Sequence, residues 1–89
     1  MSDFLDNFNR SNRIGVEFVL TDLDIAISFL DVAAASTDSG VVSRNHDNAR
    51  KAFASVVDLL ERLSVDEPQR QEIETKLAVV RARLGTLKE

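Results

Sequence analysis

The sequence predicts an all-α protein, an antiparallel up-down-up three-helix bundle. Apolar residues recur at steps of three and four along most of the chain, which is the period of one helix face. The 89 residues include only three glycines and one proline, and neither tyrosine nor tryptophan. So few turn and strand formers indicate long helices with short connections, and short connections make consecutive helices antiparallel.

The first helix is predicted over residues 13–35. Its core-facing apolar positions are Val16, Val19, Leu20, Leu23, Ala26, Ile27, Leu30 and Ala34. The turn-forming segment STDSG at 36–40 follows the helix. Residues 1–12 form an N-terminal arm with two open interpretations: Phe4, Leu5 and Phe8 dock on the bundle, or the arm is loose.

The second helix is predicted over residues 41–63, and either Ser39 or Ser43 could cap its start. Its apolar face comprises Val42, Ala49, Ala52, Phe53, Val56, Leu60 and Leu63. On the polar side, Asp47 precedes Lys51 and Asp58 precedes Arg62 by four residues. This spacing predicts two intrahelical ion pairs.

The third helix is predicted over residues 67–87. Asp66 is a candidate N-cap with Gln69 three residues later, as in a capping box, and Pro68 falls in the first turn, where it is tolerated. The apolar residues of this helix form a short heptad seam: Ile73, Leu77, Val80, Leu84 and Leu87. We expect the seam to pack inside the bundle, so that residues 13–89 form one domain.

Composition narrows the class of function. The net charge is −4 and cysteine is absent. An acidic chain is a poor general nucleic-acid ligand, and a chain without cysteine suits a reducing compartment. The start MSDFLDNFNR lacks the basic segment of a secretory signal, and no apolar run approaches a membrane span. We therefore expect a soluble, cytoplasmic protein with neither a nucleic-acid nor a membrane partner.

The basic residues near the end of the third helix are Lys76, Arg81, Arg83 and Lys88. Arg81 and Arg83 are separated by about 200° on the helix and do not form one patch. Arg83 and Lys88 are explained by favourable interaction with the C-terminal end of the helix.

His46 is the only histidine and lies in the polar stretch RNHDNARKAF at 44–53. Catalysis by His46 would require Arg50 or Asp47 to act together with it as a catalytic partner. Arg50 is a poor base, and Asp47 points about 100° away from the histidine. We therefore interpret His46 as a residue on the border between the apolar and the polar face, and we expect no catalytic residue and no enzyme activity.

No metal or cofactor site is predicted. One histidine is too few for a zinc site, and the glycines at 15, 40 and 85 are too scattered for a phosphate loop. Among the acids of the first helix, Asp24 and Asp31 share a face while Asp22 does not. Two carboxylates alone are a weak metal site, so solvated charge is the preferred interpretation.

The first helix carries a second apolar stripe, formed by Phe18, Ile25, Phe29 and Val32, opposite its core face. A helix in a monomeric bundle needs only one apolar arc, so a second one must be covered. The cover could be internal, through the N-terminal arm or a central position of the helix. It could also be a partner, most simply a second copy of the chain.

The segments ARKAFASVVDLLERL and QRQEIETKLAVVRARLGTL resemble the helical hairpins of TPR-like proteins, in particular small bacterial all-helical proteins. The resemblance covers about residues 45–87. Ala49 and Phe53 match the small and aromatic positions of the repeat, whereas Val56 replaces a small residue. No 34-residue repeat is visible. The resemblance implies a helical-hairpin interaction scaffold and carries no functional residue across.

Together these observations predict a non-enzymatic protein–protein interaction module. It is expected to self-associate through Phe18, Ile25, Phe29 and Val32 as a homodimer, or to bind another helical protein. The alternative is a small-molecule-binding bundle or an accessory subunit of an enzyme.

Overall fold

A computed structural model describes residues 2–87 and, within that range, the side chains of all residues except Ser2 and Phe4. Three helices follow one another: α1 (Ser2–Ala35), α2 (Ser39–Leu60) and α3 (Glu67–Gly85). The described residues contain no strand, and α1 packs against both other helices. The predicted all-α three-helix bundle is confirmed.

The first helix begins at Ser2 rather than at residue 13. Neither glycine nor proline interrupts the chain before Gly15, so nothing stops the helix from extending backwards. At about 1.5 Å per residue, its 34 residues account for most of the 56 Å length of the molecule. Leu5 and Phe8 are exposed, so this segment does not fold back on the bundle. The predicted contribution of Phe4 lies outside the described side chains.

The helix caps differ from the predicted ones. At the start of α2, the Asp38 carboxylate accepts hydrogen bonds from the backbone N–H groups of Gly40 at 2.8 Å and Val41 at 3.1 Å. Asp38 is therefore the N-cap, and neither Ser39 nor Ser43 has that position. A carboxylate suits it because it satisfies unpaired N–H groups and interacts favourably with the helix dipole.

Asp66 flanks α3 as predicted, but its side chain makes no capping hydrogen bond. Pro68 lies in the first turn, where its missing N–H costs nothing. Helices α2 and α3 end at Leu60 and Gly85, before the predicted ends at 63 and 87, because the chain turns there.

The core lies between one face of α1 and the inner faces of α2 and α3. Its buried members are Val16, Val19, Leu23, Ala26, Leu30, Ala49, Val56, Ile73 and Val80. All of them except Ile73 and Val80 belong to α1 or α2, and α1 makes its larger interface with α2. The apolar period therefore predicted these core positions, but Ala34, also expected on the core face, is exposed and its neighbour Ala33 is buried instead.

Two ion pairs join α1 to α3. The Lys76 ammonium lies 2.5 Å from the Asp24 carboxylate, and the Arg83 guanidinium lies 2.7 Å from that of Asp31. Both pairs have the same sequence separation of 52 residues. A constant separation requires α1 and α3 to run parallel, so α2 between them in sequence is antiparallel to both. The topology is up-down-up.

The other flank of α3 faces α2, where the Arg81 guanidinium lies 5.6 Å from the centre of the Phe53 ring. This is a cation–π contact. Arg81 and Arg83 thus serve different interfaces, in agreement with their wide angular separation. The predicted contribution of Lys88 lies outside the described residues.

The connection after α2 packs on α1 at Gly15. A methyl group added to Gly15 would lie 2.5 Å from a Leu63 methyl, so the absence of a side chain permits the close approach. Next to it, Asn12 donates to the carbonyl of Ser64 and accepts from its N–H at 2.7 Å. These contacts fix the connection after α2 against α1 at residues 12 and 15.

The Asp24–Lys76 pair makes stability depend on alkaline pH. The hydrogen bond to Asp24 raises the pKa of Lys76 above its ordinary value of 10.5, and the charges of Asp24 and Glu72 add to this effect. A lysine whose pKa is raised by folding stabilises the folded state at pH values below its ordinary pKa. This stabilisation is lost as the pH rises through the pKa of the folded state. We expect the free energy of unfolding to fall above about pH 10.5.

The measurement is urea unfolding at mildly and strongly alkaline pH, for the parent chain and for Asp24→Asn. The variant is expected to be less stable than the parent at the lower pH and to lose less stability between the two. Equal losses in both proteins would show that the pair contributes nothing to this pH dependence.

Candidate interaction surface

The side of α1 that faces away from α2 and α3 carries a row of exposed apolar side chains. Phe18, Ile25 and Val32 of the second apolar stripe expose 55%, 41% and 49% of their surface. Ile14, which the sequence analysis did not include, is 57% exposed and lies one turn before Phe18. We call the row of Ile14, Phe18, Ile25 and Val32 the outer face of α1.

The outer face is exposed because the two other helices pack on adjoining parts of α1. The ion pairs of Asp24 and Asp31 place α3 along one flank. The contacts at Asn12 and Gly15 place the end of α2 along the other. The outer face lies about 160–200° around the helix from the core residue Val16. No third neighbour is left to cover it among the described residues.

Phe29, the fourth residue of the second apolar stripe, lies differently. It is half-buried and packs against the core cluster. On the helix it lies about 40° from Ile25, on the side of the buried residues Ala26 and Ala33. Phe29 therefore belongs to the edge between the core and the outer face, and a charge placed there would disturb the fold as well as the surface.

The sequence suggested two ways in which the protein itself could cover the second apolar stripe, and neither is observed in the described part of the chain. The N-terminal segment continues α1 instead of folding back. The central position of α1 leaves its outer face in solvent, since α2 and α3 lie on the opposite side. Burying a fully exposed side chain of this size is worth about 1.5–3 kcal/mol. The four side chains of the outer face keep 41–57% of their surface exposed, so covering them would gain a part of that value for each.

The row was recognisable from the residue period, but its length was underestimated. Ile14 precedes Phe18 by four residues and so lies on the same helix face, but it was not included in the predicted stripe. Phe8 lies in the first turns of α1, which were predicted as an arm, and is 55% exposed. It lies beside this row, on the side of α1 that faces α2.

His46 lies on the border of α2 as predicted and is half-buried. It lines an open groove with Thr37, Ser39 and Val42. On the polar side, Asp47 pairs with Arg50 at 3.1 Å, rather than with Lys51 as predicted, whereas Asp58 pairs with Arg62 as predicted.

The acids Asp24 and Asp31 share a face of α1, as expected, and each is paired with a basic residue of α3. Within residues 2–87, no group of three or more histidine, cysteine, aspartate or glutamate residues could hold a metal ion. A cavity of about 150 Å³ lies between the end of α2 and the first half of α3, lined by apolar residues such as Leu60 and Ile73 and by the charged residues Arg70 and Glu74. It is smaller than the roughly 300 Å³ of the smallest usual ligand pockets.

No protein-family model matches the chain, and no curated protein or solved structure is significantly similar to it. Within the part of the chain that the structure describes, no helix is long and apolar enough to cross a membrane. The interpretation of the surface therefore depends on the residues themselves.

Proposed function

We propose that this protein is a non-enzymatic protein–protein interaction module that self-associates through the outer face of α1. The observation that carries the proposal is the row of four exposed apolar side chains on a helix whose opposite face already forms the core. Contiguous apolar surface of this kind marks interaction sites on water-soluble domains. The cytoplasm is the proposed location.

A second copy is the preferred partner because the row is complementary to itself. A homodimer with two-fold symmetry uses the same patch on both subunits. Helix-against-helix packing needs apolar side chains that recur along one face of both partners, and the outer face of α1 supplies them in one step of four and two steps of seven. Another helical protein with a similar row would bind in the same way.

The hairpin of α2 and α3 is proposed to act as a TPR-like scaffold that holds α1. Ala49 is buried, as expected for the small position of such a hairpin, and Phe53 packs against the core and contacts Arg81. In this arrangement the hairpin supplies rigidity, and α1 supplies the binding surface.

The proposal is tested by the solution mass, measured by light scattering over a range of concentrations. We expect the parent chain to reach twice the mass of the 9.9 kDa monomer. Ile25→Glu is expected to abolish the dimer without loss of helix content, because Ile25 is exposed in the monomer and a buried unpaired carboxylate is costly only at an interface.

Val57→Glu is the matched control. Val57 is 38% exposed and lies on α2, one turn after Phe53 and therefore toward α3, away from the outer face. This variant is expected to keep the parent mass. A monomeric parent at every concentration, or equal effects of the two substitutions, would refute self-association through α1.

A further inference from the structure

The orientation of the dimer follows from the distribution of residues along α1. The outer face continues as a heptad row whose alternate positions hold Ile14, Thr21 and Ser28 on one side and Ser11, Phe18, Ile25 and Val32 on the other. We propose that two copies of the chain pack α1 against α1 in antiparallel orientation, with Phe18 opposite Thr21 of the second copy. This inference depends on the self-association proposed above.

Charge is the first argument. The basic residues of α1 are Arg10 and Arg13, both in its first half, which also holds Asp3, Asp6 and Glu17. The second half holds Asp22, Asp24 and Asp31 and no basic residue. An antiparallel pair brings Arg10 and Arg13 of each helix next to the acidic second half of the other. In the proposed register, Arg10 faces Asp31 of the second copy. The Asp31 side chain keeps 65% of its surface exposed beside Arg83, so it can accept a second cation.

The parallel alternative gives no such pairing. In a parallel helix pair, the flank that holds Arg10 and Glu17 meets the opposite flank of the partner. Arg10 would then face Gly15 of the second copy, and Glu17 would face Asp22. Like charges at this distance are unfavourable. The antiparallel register also brings Glu17 next to Asp24 of the second copy, but Asp24 is already paired with Lys76, and the Arg10–Asp31 pair adds an attraction that parallel packing does not have.

The aromatic residues on the other flank provide the second argument. In the proposed antiparallel register, the exposed Phe8 lies next to the partly exposed Phe29 of the second copy, so both rings lose solvent contact. Parallel packing would place Phe8 next to Asp3 of the second copy instead. Aromatic pairs contribute beyond their buried area, so this contact favours the same orientation as the charges.

The centre of the antiparallel interface is then apolar and compact. Ile14 lies opposite Ile25 of the second copy, and by symmetry Ile25 lies opposite Ile14, with two Phe18–Thr21 layers between them. The small threonine leaves room for the phenylalanine ring, which is the large-against-small matching that good packing requires. The next layer outward pairs Ser11 with Ser28 of the second copy, and the layer beyond it pairs Asn7 with Val32.

The absence of cysteine from the chain permits a direct test by disulfide trapping. Ser11→Cys and Ser28→Cys are nearly isosteric changes at exposed positions of α1. A disulfide needs two Cα atoms within about 7 Å. In the proposed dimer, residue 11 meets residue 28, whereas the two copies of residue 28 are about 25 Å apart, at about 1.5 Å per residue.

We expect a mixture of the two single variants, one carrying a mass tag, to form a covalent heterodimer on mild oxidation. Ser28→Cys alone is expected to form little disulfide, no more than the collision control Ser55→Cys on the exposed side of α2. Efficient homodimer formation by Ser28→Cys alone would show parallel packing and overturn this inference.

The same samples separate this inference from the proposed function when their mass is measured under reducing conditions. A non-covalent dimer without the mixed disulfide would overturn the register and leave self-association intact. A monomer under reducing conditions, with no cross-linking above the Ser55→Cys control, would refute both. Circular dichroism of each variant verifies that the helices are retained.

Discussion

Leu23→Ala is expected to lower the free energy of unfolding by about 2–5 kcal/mol, because it removes most of a fully buried side chain and leaves a cavity. Leu23 is among the largest side chains of the core and has no exposed surface. It lies in the middle of α1, where both other helices pack. Since a domain of this size has only about 5–10 kcal/mol to lose, the variant should be close to unfolding at moderate temperature.

Urea unfolding followed by helical circular dichroism measures this effect. Leu5→Ala is the matched control, since Leu5 is exposed on the same helix, and we expect it to change stability by less than about 0.5 kcal/mol. If Leu23→Ala does not fold, Ile73→Val tests the same core more gently, with an expected loss of about 0.5–1.5 kcal/mol. Similar stabilities for Leu23→Ala and Leu5→Ala would contradict the assignment of the core.

Ala49→Leu is expected to destabilise the bundle by about 1–3 kcal/mol through overpacking. Ala49 is completely buried on α2, and Ala26 and Ala33 are buried on α1. Small side chains let helices approach closely, so a larger one at Ala49 must push α2 outward or adopt a strained rotamer.

Ala54→Leu on the exposed side of the same helix is the control, because it makes the same chemical change without a packed neighbour. We expect its free energy of unfolding to remain within about 0.5 kcal/mol of the parent value. Thermal and urea unfolding of both variants provide the comparison. A stable Ala49→Leu protein with unchanged cooperativity would mean that the core is not close-packed at this position.

The residue period predicted the three helices and the core because each helix buries one face. Leu23, Val56 and Val80 are all at positions of the predicted apolar faces and are all buried. The start of α1 was predicted wrongly, since its first turns contain no core residue and periodicity gives no signal there. The capping residue Asp38 was missed because several neighbouring residues can cap a helix.

The sequence located the exposed row only in part. Phe18, Ile25 and Val32 are exposed, whereas Phe29 turned out to pack against the core. A wheel fixes angles along one helix but not the position of its neighbours, so it cannot show where the edge of the core falls. The Asp24–Lys76 and Asp31–Arg83 pairs were missed for the same reason. The two acids on α1 are seven residues apart, and so are the two bases on α3, but this matching spacing does not show which helices are neighbours.

The connection of residues 36–38 between α1 and α2 has a consequence for the order of folding. Closing so short a loop costs little chain entropy, and the two helices it joins form the larger interface of the bundle. The two ion pairs that join α3 to α1 each span 52 residues. Contacts between distant residues form late, so we expect the α1–α2 hairpin to form the folding nucleus. During synthesis on the ribosome, the α1–α2 hairpin would form before α3 is available, and the part of its core that α3 covers would stay exposed to solvent until then.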